Sequence, residues 1–206
     1  MKALLINGSP RAEGCTFTAL SELKRTLEAE GIEVELLHVG HKAIHGCIAC
    51  GKCRELGRCV FDDVVNEVAP KLAEADAFVI GAPVYYASPA GGAIAFLDRL
   101  FFSTFHMDKT MKVGAAVVSC RRGGNTSSFD VLNKYFSINS MPIATSQYWN
   151  MVYGSTPEEV LADKEGLQTM RTLGRNMAFL MKSIRLGKAS LGLPEQEPHL
   201  TTSFHH

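Results

Sequence analysis

Lys2-Ala-Leu-Leu-Ile6, followed by Asn7-Gly-Ser-Pro-Arg-Ala-Glu-Gly-Cys-Thr16, is the stretch from which the remainder of the chain is read. A short apolar run of strand length stops at Asn7-Gly8. A loop with two glycines, Ser9, Arg11 and Thr16 follows. From Phe17 to Glu30 the apolar residues Phe17, Leu20, Leu23 and Leu27 then recur at helical spacing. Strand, small polar loop and helix start together make an anion site, because the free N–H groups of the first helical turn face the loop and the helix dipole adds partial positive charge. Ser9 and Thr16 bring hydroxyl donors, and Arg11 brings a formal charge. No Lys-Ser/Thr pair follows a second glycine, which excludes a nucleoside-triphosphate P-loop, and the absence of Gly-x-Gly-x-x-Gly excludes a Rossmann pyrophosphate turn. Hydroxyls and backbone amides suit a single terminal phosphate.

The chain of 206 residues is 46% hydrophobic and 20% charged, enough for one domain with a sizeable core. That domain is expected over residues 1–186, with a Gly- and Pro-containing tail over 187–206. Lys plus Arg and Asp plus Glu number 21 each, so the net charge is zero and no nucleic-acid partner is implied. With no signal-peptide pattern and no apolar run near about 18 residues, a cytoplasmic location without membrane association is the expectation. His205 and His206 read as a residual tag or a native tail.

After Gly31 the alternation of Ile32–Leu37 predicts a second strand, and His38–Gly46 reads as loop. Asp62-Asp63 opens a helix carrying Val64, Val65, Val68 and Leu72. Asp76–Ile80 predicts a third, fully buried strand, 81–89 a loop, and Ala90–Thr104 a helix with Ile94, Leu97, Leu100 and Phe101 inward. Lys112–Val118 predicts the fourth strand, 119–125 a loop, Ser127–Ser137 a helix, and Met141–Thr145 the fifth strand. Gln147–Ser155 reads as an aromatic connection, and Pro157–Leu186 as a long helix interrupted near Gly166 or Gly174. Such alternation predicts an α/β three-layer sandwich: a five-stranded parallel sheet of flavodoxin-like order 2-1-3-4-5 with helices on both faces. Ligands then bind at the carboxyl ends of the strands beside the switch point, where the loops 7–16, 81–89 and 119–125 converge.

Pro83, Val84, Tyr85 and Tyr86 offer a flat ring an apolar wall with backbone groups at its polar edge. In the loop beginning Ser119-Cys120, Gly123 and Gly124 let backbone approach a ligand closely, and Arg121 and Arg122 add positive charge. A flat ring with one terminal phosphate describes flavin mononucleotide. Gly8-Ser-Pro-Arg11 with Gly14-x-Thr16, Pro83-Val-Tyr85 and Phe96-Leu-Asp-Arg99 resemble the NADPH-dependent FMN reductase family of flavodoxin-like proteins. The resemblance covers about residues 1–185. It implies FMN phosphate on Ser9, Arg11, Cys15 and Thr16, the ring against Pro83, Val84, Tyr85, Tyr86 and Ser119, Arg121, Gly123, Gly124, and oxidation of a nicotinamide cofactor at the flavin. It also implies a homodimer or homotetramer in which a neighbour's aromatic residues close the ring pocket, with Tyr148, Trp149, Asn150, Tyr153 and Gly154 as the candidates. The family usually has Asn where this chain has Cys15; the resemblance implies a contact through the backbone N–H, which survives that change, and not one through an Asn side chain.

Cys47-Ile-Ala-Cys50-Gly-Lys-Cys53-Arg-Glu-Leu-Gly-Arg-Cys59 places four of the six cysteines within thirteen positions, which points to metal or redox chemistry. The segment resembles the compact motif of the iron-sulfur flavoproteins in the same superfamily. Four thiolates on one short loop suit a [4Fe-4S] cluster; tetrahedral zinc and metal-free thiols are the alternatives. Cys15 and Cys120 lie outside the motif and read as packed or ring-adjacent. His38, His41 and His45 fit no helix face and read as surface residues. Hydride transfer needs alignment and no protein acid or base, so no catalytic residue is assigned.

The resulting expectation is an FMN-binding, NAD(P)H-dependent oxidoreductase of the FMN or quinone reductase type, acting on a small-molecule or flavin acceptor. The competing class is an iron-sulfur flavoprotein electron carrier that exchanges electrons with ferredoxin-like redox partners. A third, weaker reading is a zinc or thiol switch. Zero net charge favours the enzyme, since carriers of this fold dock through strongly acidic surfaces, and the cysteine loop favours the carrier.

Overall fold

A computed structural model describes residues 1–198 and 200–202 of the chain; the terminal histidine pair lies outside them. Five strands run parallel: β1 (Lys2–Asn7), β2 (Glu33–His38), β3 (Ala77–Tyr85), β5 (Val113–Cys120) and β6 (Met151–Tyr153). A two-residue strand, β4 (Ser88–Pro89), folds back antiparallel onto β3. The sheet order is β2-β1-β3-β5-β6, which is the expected 2-1-3-4-5 once the short β4 is set aside.

Alternation along the strands divides the core into two layers, because successive side chains leave a strand on opposite faces. Leu4, Ile6, Phe78, Ile80, Ala116 and Val118 face α3 (Val64–Glu74), α4 (Gly91–Ser103) and α5 (Asn125–Ser137). Leu5, Val79, Ala115 and Val117 face α1 (Cys15–Ala29), α6 (Pro157–Ala162) and α7 (Lys164–Leu191). The helix α1 lies close on α7: a Cβ on Gly174 would stand 2.8 Å from Thr26. Beside that contact, the half-exposed Arg171 pairs with the largely buried Glu22 at 2.7 Å. Among the described residues no helix is long and apolar enough to cross a membrane.

Five expectations are corrected. Residues 81–85 are not loop, because β3 continues to Tyr85 and pairs along its length with β5 as far as Pro83↔Ser119. Gly81 punctuates the sequence for a packing reason: a Cβ there would meet Leu20 at 2.7 Å and Thr16 at 2.8 Å. The fifth strand is 151–153, not 141–145. Residues 141–145 make only an isolated bridge, Gly114↔Ile143, and the chain leaves the sheet edge before returning at Met151. The buried Asn150 side chain spans this excursion, donating to Ala144 O at 3.3 Å and accepting from Ser146 Oγ at 2.8 Å. The last helix breaks at Asp163, neither at Gly166 nor at Gly174, because the Asp163 carboxylate accepts from Gly166 N and caps a new helix. That helix runs on to Leu191, past the expected start of the tail at 187. Finally, a one-turn helix, α2 (Cys53–Leu56), forms inside the cysteine segment.

Phe136 of α5 lies on bare backbone at Gly114, where a Cβ would be 2.5 Å from its Cγ, and it meets Phe78 edge-on. Phe136→Ala is expected to cost about 3–5 kcal/mol, seen in urea unfolding as a lower midpoint with an unchanged slope.

Candidate functional site

Asn7, fully buried at the end of β1, builds the first loop from inside. Its Oδ1 accepts from Ser9 N at 3.0 Å and its Nδ2 donates to Ala12 O at 3.0 Å. Ser9 Oγ accepts from Arg11 N at 3.2 Å. Gly8 N donates to Gly81 O at 2.8 Å, and a Cβ on Gly8 would stand 2.8 Å from Ala93, so only glycine brings this loop down onto β3. The loop ends at Gly14, the N-cap of α1, whose extended backbone offers no side-chain cap. The first N–H groups of a 15-residue helix are thus left for a ligand.

Thr16 and Ser119, both buried, join α1 to β5 through a 2.8 Å hydroxyl–hydroxyl bond. Cys15 Sγ donates to Gly154 O at 3.5 Å, and Gly154 N donates to Cys120 O at 3.0 Å, so the end of β6 closes the same side. Burial pushes both thiols above their ordinary pKa and keeps them protonated. The result is a cleft of about 150 Å³ at the carboxyl ends of the strands. Of the expected residues, Ser9, Arg11, Cys15, Thr16, Pro83, Val84, Tyr85, Ser119 and Arg121 line it, with Cys120, Gly154 and Ser155 added. Two arginines and no carboxylate line this space, a donor set that fits a phosphate and a flavin's polar edge. At this volume the cleft is smaller than a pocket that encloses a ligand, typically about 300–1,000 Å³.

Tyr86, Gly123 and Gly124 stand outside the lining. Tyr86 is fully exposed, at a left-handed turn (φ 50°) between β3 and β4. Gly124, also left-handed at φ 85°, lies beneath that hairpin: a Cβ would be 2.5 Å from Ala87 Cα. Its role is to seat the hairpin on α5. Trp149, Tyr148 and Tyr153 are each about half-exposed near the β6 end.

Asn7, His38 and Gly40 were not legible from the sequence as site residues. The His38 imidazole is no loose surface group: its Nε2–H donates to Ser9 O at 2.7 Å from the end of β2. Gly40 presses on the same carbonyl, since a Cβ there would lie 2.2 Å from Ser9 O. An Asn directly after a buried strand and a glycine soon after the neighbouring strand were the only local signals.

The cysteine segment forms a second, separate concavity. Cys47, Cys50, Cys53 and Cys59 all line one apolar cavity with Phe61, Phe102 and Arg99. Left-handed residues at Ala49, Gly51 and Gly57 turn the chain between the thiols. The Asn66 side chain braces its far end through Cys59 N, Cys59 O and Phe61 O, each at 3.0 Å. All six cysteines are free. Among the described residues no three of His, Cys, Asp or Glu stand close enough to share one metal ion. Four thiols lining one apolar space are the donor set of a four-cysteine centre, whether a cluster or zinc.

Arg99, on the inward side of α4, is buried to 1% exposure and was not expected there. Burial opposes its charge, but the hydrogen bonds and charge of Asp63 and Cys59 outweigh this and hold its pKa above the ordinary arginine value.

Residues 1–156 match the family model described as NADPH-dependent FMN reductase. An iron-sulfur flavoprotein of Methanocaldococcus jannaschii is 33% identical over 192 residues, covering 90% of this chain and all of that protein. Among solved structures, RosB with a bound 8-demethyl-8-formylriboflavin-5'-phosphate superposes with a TM-score of 0.71 at 15% identity, over 100% of this chain and 92% of that one. A WrbA-like flavodoxin from Agrobacterium tumefaciens superposes with a TM-score of 0.62 at 15% identity, over 88% and 97% of the two chains. Both share the flavodoxin-like fold.

Thr16→Val leaves the Ser119 hydroxyl buried without its partner and is expected to cost about 1–3 kcal/mol. Thr16→Val with Ser119→Ala removes both polar groups, and urea titrations should show that pair recovering part of the loss.

Proposed function

Because the chain belongs to the NADPH-dependent FMN reductase family, as an FMN-binding oxidoreductase of flavodoxin-like fold, we propose that it takes electrons from NAD(P)H and delivers them to a small-molecule or flavin acceptor. The observation that carries this reading is the convergence of the uncapped start of α1, Arg11 and the Thr16–Ser119 hydroxyl pair in one cleft without carboxylates. Arg11 and the N–H groups of Cys15 and Thr16 would hold the phosphate. Ser9 is kept in place by Asn7, His38 and Gly40, so the cradle is preorganised and little ordering accompanies binding. Val84 and Tyr85 form the wall for the ring, and Arg121 stands at its polar edge. When bound, FMN would supply two-electron acceptance as one hydride and release of those electrons singly or together. Since the cleft is too small to enclose the ring, part of the flavin is open to a nicotinamide, and exposed Tyr85 and Trp149 offer a neighbouring protomer a surface to cover it.

Four thiols lining one cavity favour the reading that Cys47, Cys50, Cys53 and Cys59 would hold a [4Fe-4S] cluster, which would supply one-electron transfer when bound. Cys53 is anchored toward α4, where its thiol faces Phe102 O at 4.0 Å, while Cys47 and Cys50 are exposed. The full-length match to a chain named iron-sulfur flavoprotein favours a second reading, an electron carrier serving a ferredoxin-like partner.

Arg11→Ala is expected to weaken FMN binding about tenfold, since a charge-assisted bond contributes about 1.5 kcal/mol; quenching of flavin fluorescence on titration measures it. Anaerobic stopped-flow mixing of the holoprotein with NADPH should bleach the flavin on a catalytic timescale. If NADPH leaves it coloured while reduced ferredoxin bleaches it, the carrier reading replaces the reductase.

A further inference from the structure

Among the described residues, every polar contact of Arg99 goes to residues 45–63, the stretch that contains the four cysteines. Its Nη1 donates to Asp63 Oδ2 at 2.6 Å and to His45 O at 3.4 Å. Its Nη2 donates to Asp63 Oδ1 at 2.9 Å and to Phe61 O at 3.3 Å. The guanidinium also lies 4.9 Å over the Phe61 ring. One buried side chain therefore clamps both ends of the loop, two residues before Cys47 and two to four after Cys59. The remaining donor, Nε–H, points at Cys59 Sγ at 3.3 Å.

The cost of burying a guanidinium is met by Asp63, which is itself partly exposed and caps α3 through Val65 N. That pairing does not account for the Nε–H aimed at sulfur. Arg99 is the only charged residue lining the cysteine cavity among the described residues, and four thiolates there bring negative charge into an apolar space. A hydrogen bond to a ligating sulfur strengthens as electron density on it rises, so it favours the reduced form of whatever the thiolates hold.

We propose that Arg99 is the positioning residue of the cysteine centre: through Nε–H it orients Cys59 Sγ and raises the reduction potential of the cluster bound there. This rests on the [4Fe-4S] reading given above. Reduction adds one electron and no proton to the centre, supplied in the test by dithionite.

The experiment uses anaerobically reconstituted full-length holoprotein, with iron and sulfide content and an EPR-monitored redox titration. Arg99→Lys keeps the charge for Asp63 but loses the planar fork that aims at sulfur. The expected result is about a tenfold loss in the one-electron reduction equilibrium, ~59 mV more negative. Asp63→Asn keeps the helix cap and leaves the guanidinium uncompensated beside Cys59, so the equilibrium should shift about tenfold the other way. Iron and sulfide bound at wild-type content with the potential unmoved in Arg99→Lys would overturn the proposal. If Arg99→Lys does not retain iron, Asp63→Asn decides alone, and a potential that is unchanged or lower there overturns it. Wild-type protein that takes up no iron and sulfide refutes the cluster reading instead, a result distinct from either potential.

Discussion

The approach of Gly8 to Gly81 is the constraint on which the cleft and both helical layers depend. Here β1 hands its chain to the first loop, β3 passes alongside, and α1 and α4 both begin nearby. A Cβ on Gly8 would strike Ala93 of α4, and a Cβ on Gly81 would strike Thr16 and Leu20 of α1. With neither present, Gly8 N reaches Gly81 O, and helices from opposite faces of the sheet close on the same point. The geometry that brings the start of α1 over the strand ends therefore follows from two missing side chains.

Around that point the candidate flavin cleft is assembled mostly from backbone. Asn7 shapes the loop, His38 and Gly40 hold the Ser9 carbonyl, and Thr16 is tied to Ser119 across the sheet. Few formal charges take part, which suits a ligand whose phosphate is bound by dipoles and whose ring is bound by surface. The cysteine cavity follows a different logic. Its loop has little secondary structure, only the four residues of α2. It is held by one buried cation and by Asn66, whose bonds run entirely to this segment. One concavity is a product of the sheet; the other is a loop clamped to α3 and α4.

Much of the fold was legible because the local signals agreed. The apolar runs at 2–6, 76–80 and 112–118 read as strands of a parallel sheet, and the polar loop 7–16 between strand and helix marked the candidate site. Reading stopped short wherever a residue's meaning came from a distant partner. Gly81 and Pro83 looked like loop residues, yet one is glycine for the sake of Leu20 and Thr16, and the other continues β3 opposite Ser119. Met141–Thr145 has strand character, but pairing with β5 is completed by Met151–Tyr153, because Asn150 closes an excursion that no local pattern announces. Arg99 read as part of a family motif; its burial and its aim at Cys59 depend on where residues 45–63 fold back.

The sequence by itself determined the layer order, the phosphate-type loop and the grouping of four thiols, since each is written in short-range periodicity or spacing. Tertiary structure alone decided which residues face the cleft, that Tyr86, Gly123 and Gly124 do not, and that His38 and Gly40 meet the Ser9 carbonyl while Arg99 meets Cys59. Those assignments rest on close approaches and hydrogen bonds between segments tens of residues apart, and a linear pattern carries no record of such distances.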